Sequence, residues 1–428
     1  MPVKKASLDE LVALAKAAAA EAADYQERFA AEDTEARKIV DIMERYLRVK
    51  GRVVYGGAAI NAHMSSEHKF YDPALNLPDY DFMTPDPLQD CADLIVTFQQ
   101  EGFVDVEAKF GIHEGTYKIF VNYRSAADIT YMPPDIYERI SKDADTIDGI
   151  RYASVNFLRM NIYLELSRPA GDVKRWEKVY ERLLLLNEDH PLKAGHCTAE
   201  PLEALGTPGK RSESEAAARH DRIVGAGIAA GAIFISGAAY LAGADPRSDE
   251  VVLMISDRPT PLVSALTDLG LKLTAHPAMG ELLPARTELR TSRRKLVAVV
   301  FETVACHSYT TLPTPAGYRI GSIDLLIQMY YAMYFAELQG YLPVRLLCVI
   351  QELIAIEAAR RSNAAVAGTS SAEAHDVFPL ECIGHQPTMP ELKKAHRQRV
   401  LEKRKDLAGA LRIQSTVRPL RRTRRDRK

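Results

Sequence analysis

Cysteine is sparse and spaced wrongly for metal. The five residues, Cys91, Cys197, Cys306, Cys348 and Cys382, lie far apart, and no C-x-x-C or Cys/His pattern suits zinc. Their odd number and wide separation read as a reducing, intracellular setting. Tryptophan occurs once, at Trp176. The N-terminal stretch MPVKKASLDELVALAKAAAAEAADY carries acids throughout and lacks an unbroken apolar core, so neither secretory nor mitochondrial targeting is indicated. One long uncharged run, residues 223–244, matches a bilayer in length, and Gly227 and Gly231 give it a G-x-x-x-G spacing. Glycine and alanine supply little transfer energy, however. A repeat described below makes this run the end of a helix, a buried strand and a glycine turn, so no membrane span is expected.

Net charge is also scarce, at −2 over 428 residues, but it is unevenly placed. Residues 391–428 hold fifteen Lys/Arg against four Asp/Glu, a local +11 that leaves −13 on the first 390 residues. An acidic body with a basic tail points to a polyanion handled at one end. The tail has no aromatic residues, so it offers phosphate neutralisation without base stacking, with affinity that falls as salt rises.

The length suits two or three domains. Residues 1–50 read as helical, with Asp33 or Thr34 as a cap. GRVVYGG reads as a short strand ending in a glycine turn, and DYDFM as a strand. ADLIVTFQQEGF reads as a helix, and TYKIFVNYRSAADITYM as two strands joined at residues 124–126. Helices follow through VNFLRMNIYLELS and DVKRWEKVYERLLLLN. A linker is expected at 195–215, and RRSNAAVAGTSSAEAHD reads as a mobile loop.

Chemistry concentrates around VVYGGAAIN and LPDYDFMTP. Asp79 and Asp81, on alternate strand positions, project together. Two carboxylates about 5 Å apart repel by roughly 3 kcal/mol at an effective dielectric near 20. Magnesium or manganese would offset this repulsion with oxygen ligation, and Asp128 on a separate strand would complete a two-metal clamp. Gly56 and Gly57 allow a tight turn, and their N–H groups with those of Ala58 and Ala59 can hold a triphosphate. A Gly-Gly after a strand is most often only a turn, and D-x-D is most often solvated. Their joint order with a third Asp is far more specific than any one of them and favours a nucleotidyltransferase site.

The region beyond the linker repeats the region before it. IFISGAAYL aligns with VVYGGAAIN, VVLMISDRP with DYDFMTPDP, ACHSY with ADITY, and RIGSIDLLIQMYY with RYASVNFLRMNIY. The offsets are 180, 172, 178 and 168 residues. In this alignment Asp79, Asp81 and Asp128 become Val251, Leu253 and Cys306, so the duplicated frame does not need the acids for folding. The expected organisation is 1–50 helical, 51–194 catalytic, 195–215 linker, 216–360 an inactive copy, and 361–428 loop and basic tail.

YGGAAIN, LPDYDFMTP, ADITYM and the long run DGIRYASVNFLRMNIYLELSRPAGDVKRWEKVYERLLLLN resemble the poly(A) polymerase catalytic subunits of large cytoplasmic DNA viruses, over roughly residues 38–191. The resemblance implies an α/β fold: duplicated polymerase-beta-like nucleotidyltransferase domains, each a mixed sheet flanked by helices, the second degenerate. It implies template-independent addition of AMP from ATP to an RNA 3′-hydroxyl with release of pyrophosphate. The metal acids would be Asp79, Asp81 and Asp128, with Gly56, Gly57 and Ala58 at the nucleotide. It also implies action in the host cytoplasm and packaging in the virion, and some members use a separate processivity subunit; a symmetric homodimer is the alternative assembly. A nucleotidyltransferase with another acceptor and a non-catalytic RNA scaffold are the alternatives. Arg159, Lys174 and Lys178 are candidates for triphosphate, base or primer contacts, as are Arg151, Arg175 and Tyr180. Arg151 recurs as Arg319, which favours a structural role. Trp176 reads as core, and His63 and His68 are not expected to be ligands. The loop between Gly57 and Asp79 is long for the wider superfamily.

Overall fold

The computed structural model describes residues 7–71, 78–195, 197, 213–236, 251–311, 319–338, 343–368 and 371–416. Helix α1 (Leu8–Glu32) ends before Asp33, whose carboxylate accepts the N–H groups of Glu35 and Ala36 at 2.9 and 3.2 Å and so caps α2 (Thr34–Lys50). Helix α2 stops at Gly51, which takes the left-handed φ of 61°. Strand β1 (Val53–Tyr55) runs directly into α3 (Gly56–His63). Then come β2 (Tyr80–Thr84) and α4 (Pro87–Gln100), with Asp86 as cap and proline in the first turn. The hairpin strands β3 (Val106–Phe110), β4 (Thr116–Val121) and β5 (Arg124–Tyr131) follow, then α5 (Pro134–Lys142), β6 (Asp145–Ile147) and β7 (Ile150–Tyr152). Helix α6 (Val155–Leu166) is capped by Ser154, and a 3₁₀ turn, Val173–Arg175, leads into α7 (Trp176–Asp189).

The first sheet has the order β3-β4-β5-β2-β1-β7-β6. On one face Val54, Phe82 and Ile129 stand in register and are fully buried. Tyr46 of α2 reaches Phe82 there, with ring centroids 6.3 Å apart. Each such side chain contributes about 1.5–3 kcal/mol by burial, so register is strongly fixed. The residues one step along, Tyr55, Asp81 and Asp128, are thereby forced onto the opposite face.

Three expectations need correction. The β4–β5 turn falls at Asn122 and Tyr123, not at 124–126. Both have positive φ, 47° and 66°, as a two-residue hairpin of right-handed twist requires, and Arg124 is already in the strand. The stretch read as a mobile loop is largely helical, because the helices Pro343–Val366 and Ser371–Val377 run through it. The wide cysteine spacing does not carry a reducing setting: Cys197 is bonded to Cys348 and Cys306 to Cys382, with Cα separations of 5.7 and 5.4 Å. Folding brings together what the chain separates by 151 and 76 residues. Cys91 is buried and free.

The second half contains α8 (Glu213–Ala229), β8 (Ile233–Phe234), β9 (Val252–Ser256), α9 (Pro259–Thr267), β10 (Lys272–His276), β11 (Arg286–Arg290), β12 (Leu296–Glu302), β13 (His307–Thr311) and β14 (Arg319–Gly321). It continues with α10 (Ile323–Phe335), α11 (Pro343–Val366), α12 (Ser371–Val377), β15 (Cys382–Ile383) and α13 (Met389–Thr416). Its sheet order, β10-β11-β12-β9-β8-β14-β13-β15, repeats the first sheet strand for strand, with β15 added at one edge. The parallel and antiparallel pairings also repeat. The uncharged run at 223–244 is the end of α8 followed by β8, and its expected glycine turn, with Gly237, lies outside the described residues. Among the described residues no helix is long and apolar enough to cross a membrane. Most of the expected linker at 195–215 also lies outside them. The halves join through equivalent helices: Phe157 of α6 meets Phe335 of α10 edge-on, centroids 5.4 Å apart.

Candidate active site

Four side chains share one rung across adjacent strands. Tyr55 of β1 is the register partner of Asp81 of β2, Asp81 of Asp128 of β5, and Asp128 of Lys118 of β4. Partners in adjacent strands lie about 5 Å apart, so Asp81 and Asp128 are neighbours by construction. Asp79 lies just before β2, which starts at Tyr80 and not at Asp79 as DYDFM suggests, and its charge acts on Asp81. Lys118 was not singled out from the sequence, because misplacing the hairpin turn hid its pairing with Asp128. The two side chains are in direct contact through Lys118 Nζ and Asp128 Oδ2. Tyr55 Oη and Thr130 Oγ1 are 2.9 Å apart and complete the floor of the site.

The electrostatics are those of clustered acids. Burial, then the charges of Asp79 and Asp128, push the Asp81 carboxyl up to about 7. Asp79 is raised by burial and by Asp128, with Lys118 acting in the opposite direction. As they stand, no three His, Cys, Asp or Glu side chains among the described residues form a metal-holding group. The donor chemistry still suits a hard divalent cation. Asp128 Oδ1 is buried with no hydrogen-bond partner, and the charges of Asp79 and Asp128 still act against ionisation of Asp81 in spite of Lys118 and Arg175.

The glycine turn abuts these acids. Gly56 has φ of 71°, and a Cβ placed on it would lie 2.6 Å from Asp81 Oδ2, so only glycine fits between the helix start and the acid. The first turn of α3 has no side-chain cap, which leaves the N–H groups of Gly57 and Ala58 suited to an anion. Beside Gly57 stand Arg182 and Tyr71, each with an atom 3.1 Å from where a Cβ would be. Arg182 Nη2 donates to Tyr71 Oη at 3.0 Å, and its guanidinium lies 4.2 Å from the Phe70 ring centroid. Neither Arg182 nor Tyr71 is singled out by the sequence, since each reaches the site from outside β1 and α3.

The remaining candidates divide. Arg159 does not reach the site and is corrected: it is 2 % exposed and donates to Asn187 Oδ1 at 2.7 Å and Asn156 Oδ1 at 2.9 Å. Helical periodicity turns it inward, between α6 and α7. Arg151 contacts the Ser141 carbonyl, and Arg319 donates to the Gly231 carbonyl at 3.1 Å, so both copies use this arginine to hold backbone. Lys174 and Lys178 are exposed, on the same segment as Arg175, whose charge acts on Asp81. Tyr180 packs edge-on against Phe378, centroids 5.6 Å apart. Trp176 is half-buried and donates from Nε1 to the Glu165 carbonyl at 3.1 Å. His63 lies near the Ala153 carbonyl at 3.0 Å, and His68 pairs with Asp189 at 2.7 Å, both structural. Ser65 N–H also donates to Asp189 at 2.7 Å, which ties the start of the long loop to α7, while 72–77 lie outside the described residues.

The second half corrects one alignment. Its β12, not the ACHSY segment, occupies the place of β5: Leu253 is the register partner of Val299, as Asp81 is of Asp128. The counterpart of Asp128 is therefore Val299, at an offset of 171 residues. Cys306 precedes β13, the counterpart of β6, and the short resemblance between ACHSY and ADITY was local only. The inference from the repeat survives. Val251 and Leu253 replace Asp79 and Asp81, and Leu253 and Val299 are each 1 % exposed, so the positions equivalent to Asp81 and Asp128 are apolar core.

Comparison with known proteins agrees with this geometry. Residues 41–172 match the family model of the poly(A) polymerase catalytic subunit. A mimivirus protein provisionally named as such a subunit is 34 % identical over 165 residues, covering 37 % of this chain and 27 % of the relative. An African swine fever virus protein of the same provisional name is 24 % identical over 159 residues, covering 36 % of this chain and 33 % of the relative. The chain thus spans about a quarter to a third of the length of these relatives. The crystal structure of the Megavirus polyadenylate synthase superposes with a TM-score of 0.74 at 20 % identity, over 95 % of this chain and 85 % of that one. The rung of acids lies inside a segment that matches the poly(A) polymerase catalytic subunit family, within a chain that shares the fold of a polyadenylate synthase.

Proposed function

We propose that the first half transfers AMP from ATP to the 3′-hydroxyl of RNA without a template. The observation that carries this reading is the register pairing of Asp81 with Asp128 beside the uncapped, glycine-built start of α3. The N–H groups of Gly57 and Ala58 would hold the triphosphate, with Lys174 and Lys178 near its outer phosphates. Asp79, Asp81 and Asp128 would hold Mg²⁺ or Mn²⁺, which would neutralise the triphosphate and make the attacking hydroxyl more acidic. The side chains around the rung align the two reactants in line. A bond then forms between the 3′-oxygen and the α-phosphorus, the bond from that phosphorus to the β-bridging oxygen breaks, and pyrophosphate leaves as the hydroxyl proton passes to solvent.

The second half, with its rung filled by Leu253 and Val299, would serve as scaffold. Helix α13 crosses back to the first half: Arg399 Nη2 donates to the Ile112 carbonyl at 2.8 Å, in the turn between β3 and β4. Its exposed Lys393, Lys394, Arg397 and Lys403 suit an RNA backbone without sequence preference. Purified protein given Mg²⁺, ATP and a short labelled RNA should produce a ladder of extended products, lost in Asp81→Asn and Asp128→Asn. A ladder undiminished in both variants refutes the reading. Equal extension with CTP would favour another nucleotidyl transfer, and failure to bind Mg-ATP at all would favour a non-catalytic scaffold.

A further inference from the structure

Lys118 occupies one oxygen of the third acid, Asp128 Oδ2, while the other oxygen has no hydrogen-bond partner. The pair is not locked in the core: the side chains are 38 % and 19 % exposed. A lysine is a compact charge on a flexible stem, so its ammonium can leave the carboxylate without moving the backbone. An ammonium and a hard divalent cation compete for the same oxygen, because at contact distance their charges repel.

The second half provides a control within the same chain. On β11, the counterpart of β4, Glu288 stands opposite Val299 just as Lys118 stands opposite Asp128. Glu288 pairs instead with Arg290 at 2.8 Å. The frame therefore does not need a lysine at this position, and where valine replaces the acid the residue opposite it is no longer a cation.

We propose that Lys118 is a resident counter-cation for Asp128, displaced when the divalent metal binds and then free to pair with a triphosphate oxygen. It rests on the reading of the three acids as metal ligands. Lys118 thereby weakens the binding of free metal and favours metal that arrives with nucleotide, as a positioning residue that couples the two.

Mn²⁺ binding followed by electron paramagnetic resonance, with and without a non-hydrolysable ATP analogue, tests this without relying on turnover. Lys118→Met should bind free Mn²⁺ about tenfold more tightly than the native protein, a difference of about 1.4 kcal/mol. The tightening that the analogue gives should shrink by a similar factor. Lys118→Arg, which keeps the charge, should stay near the native values. Should Lys118→Met fail to fold, Lys118→Gln carries the same expectation. If Lys118→Met leaves free-metal affinity unchanged or weaker while Asp128→Asn loses it, the lysine proposal falls and the metal reading stands. If Asp128→Asn binds Mn²⁺ as tightly as the native protein, both fall.

Discussion

Partial burial, and then the neighbouring charges of Asp79 and Asp128, push the Asp81 carboxyl up toward neutrality. Its folded value of about 7 lies above the ordinary 3.8. The folded, metal-free protein therefore holds a proton that the unfolded chain has released between those two values. Stability from this group is complete below about pH 4 and is lost as pH rises toward 7. Asp81→Asn should accordingly raise the melting temperature of the metal-free protein at pH 8 by roughly 2–4 °C, the effect of about 1 kcal/mol in a domain of this size. At pH 4 the difference should vanish. Thermal melts at the two pH values check it, and an equal shift at both would remove the electrostatic explanation. At this scale the sequence showed the acids well, since D-x-D and a later Asp are visible as letters. It did not show Arg182, Tyr71 or Lys118, whose roles depend on which strand or helix face folding brings alongside. Arg159 was misread for the converse reason: a charged letter on a helix does not say which face it takes.

Among the elements, the start of α3 is the most tightly specified. Gly56 needs both a left-handed φ and the absence of a Cβ beside Asp81. Gly56→Ala should cost about 1 kcal/mol in stability from backbone strain, and should lower extension activity more than tenfold by pushing the acid aside. Calorimetry with primer extension checks both, and a variant of native activity would show that the turn does not set the position of Asp81. The start of α2 was legible because its signal is chemical: Asp33 caps the helix by bonds to the Glu35 and Ala36 N–H groups, and Asp86 and Ser154 start α4 and α6 in the same way. The β4–β5 turn was less so. Asn122 and Tyr123 adopt positive φ without a glycine, so the turn signal is weak, and β5 starts three residues before the strand expected from the sequence.

For the molecule as a whole, duplication was readable from four short matches, yet one of them misled. ACHSY resembles ADITY by letters, but only pairing register shows that β12 replaces β5. The disulfides lay beyond reach, because 151 and 76 residues of separation say nothing about proximity in the fold. The charge asymmetry was plain, and its consequence is testable. Removing residues 389–428, which include α13 and the basic tail, should raise the KM for RNA about tenfold or more at moderate salt, leave the KM for ATP unchanged, and flatten the dependence of RNA affinity on salt. Unchanged RNA affinity would assign this segment elsewhere.

The account stands on divalent cations gathering at the rung of the first half and nowhere on its counterpart. Anomalous diffraction from crystals grown with Mn²⁺ and a non-hydrolysable ATP analogue tests this directly. The expected map has manganese peaks among Asp79, Asp81 and Asp128, and none at Val251, Leu253 and Val299. Peaks only elsewhere, with the three aspartates bare beside bound nucleotide, would contradict it.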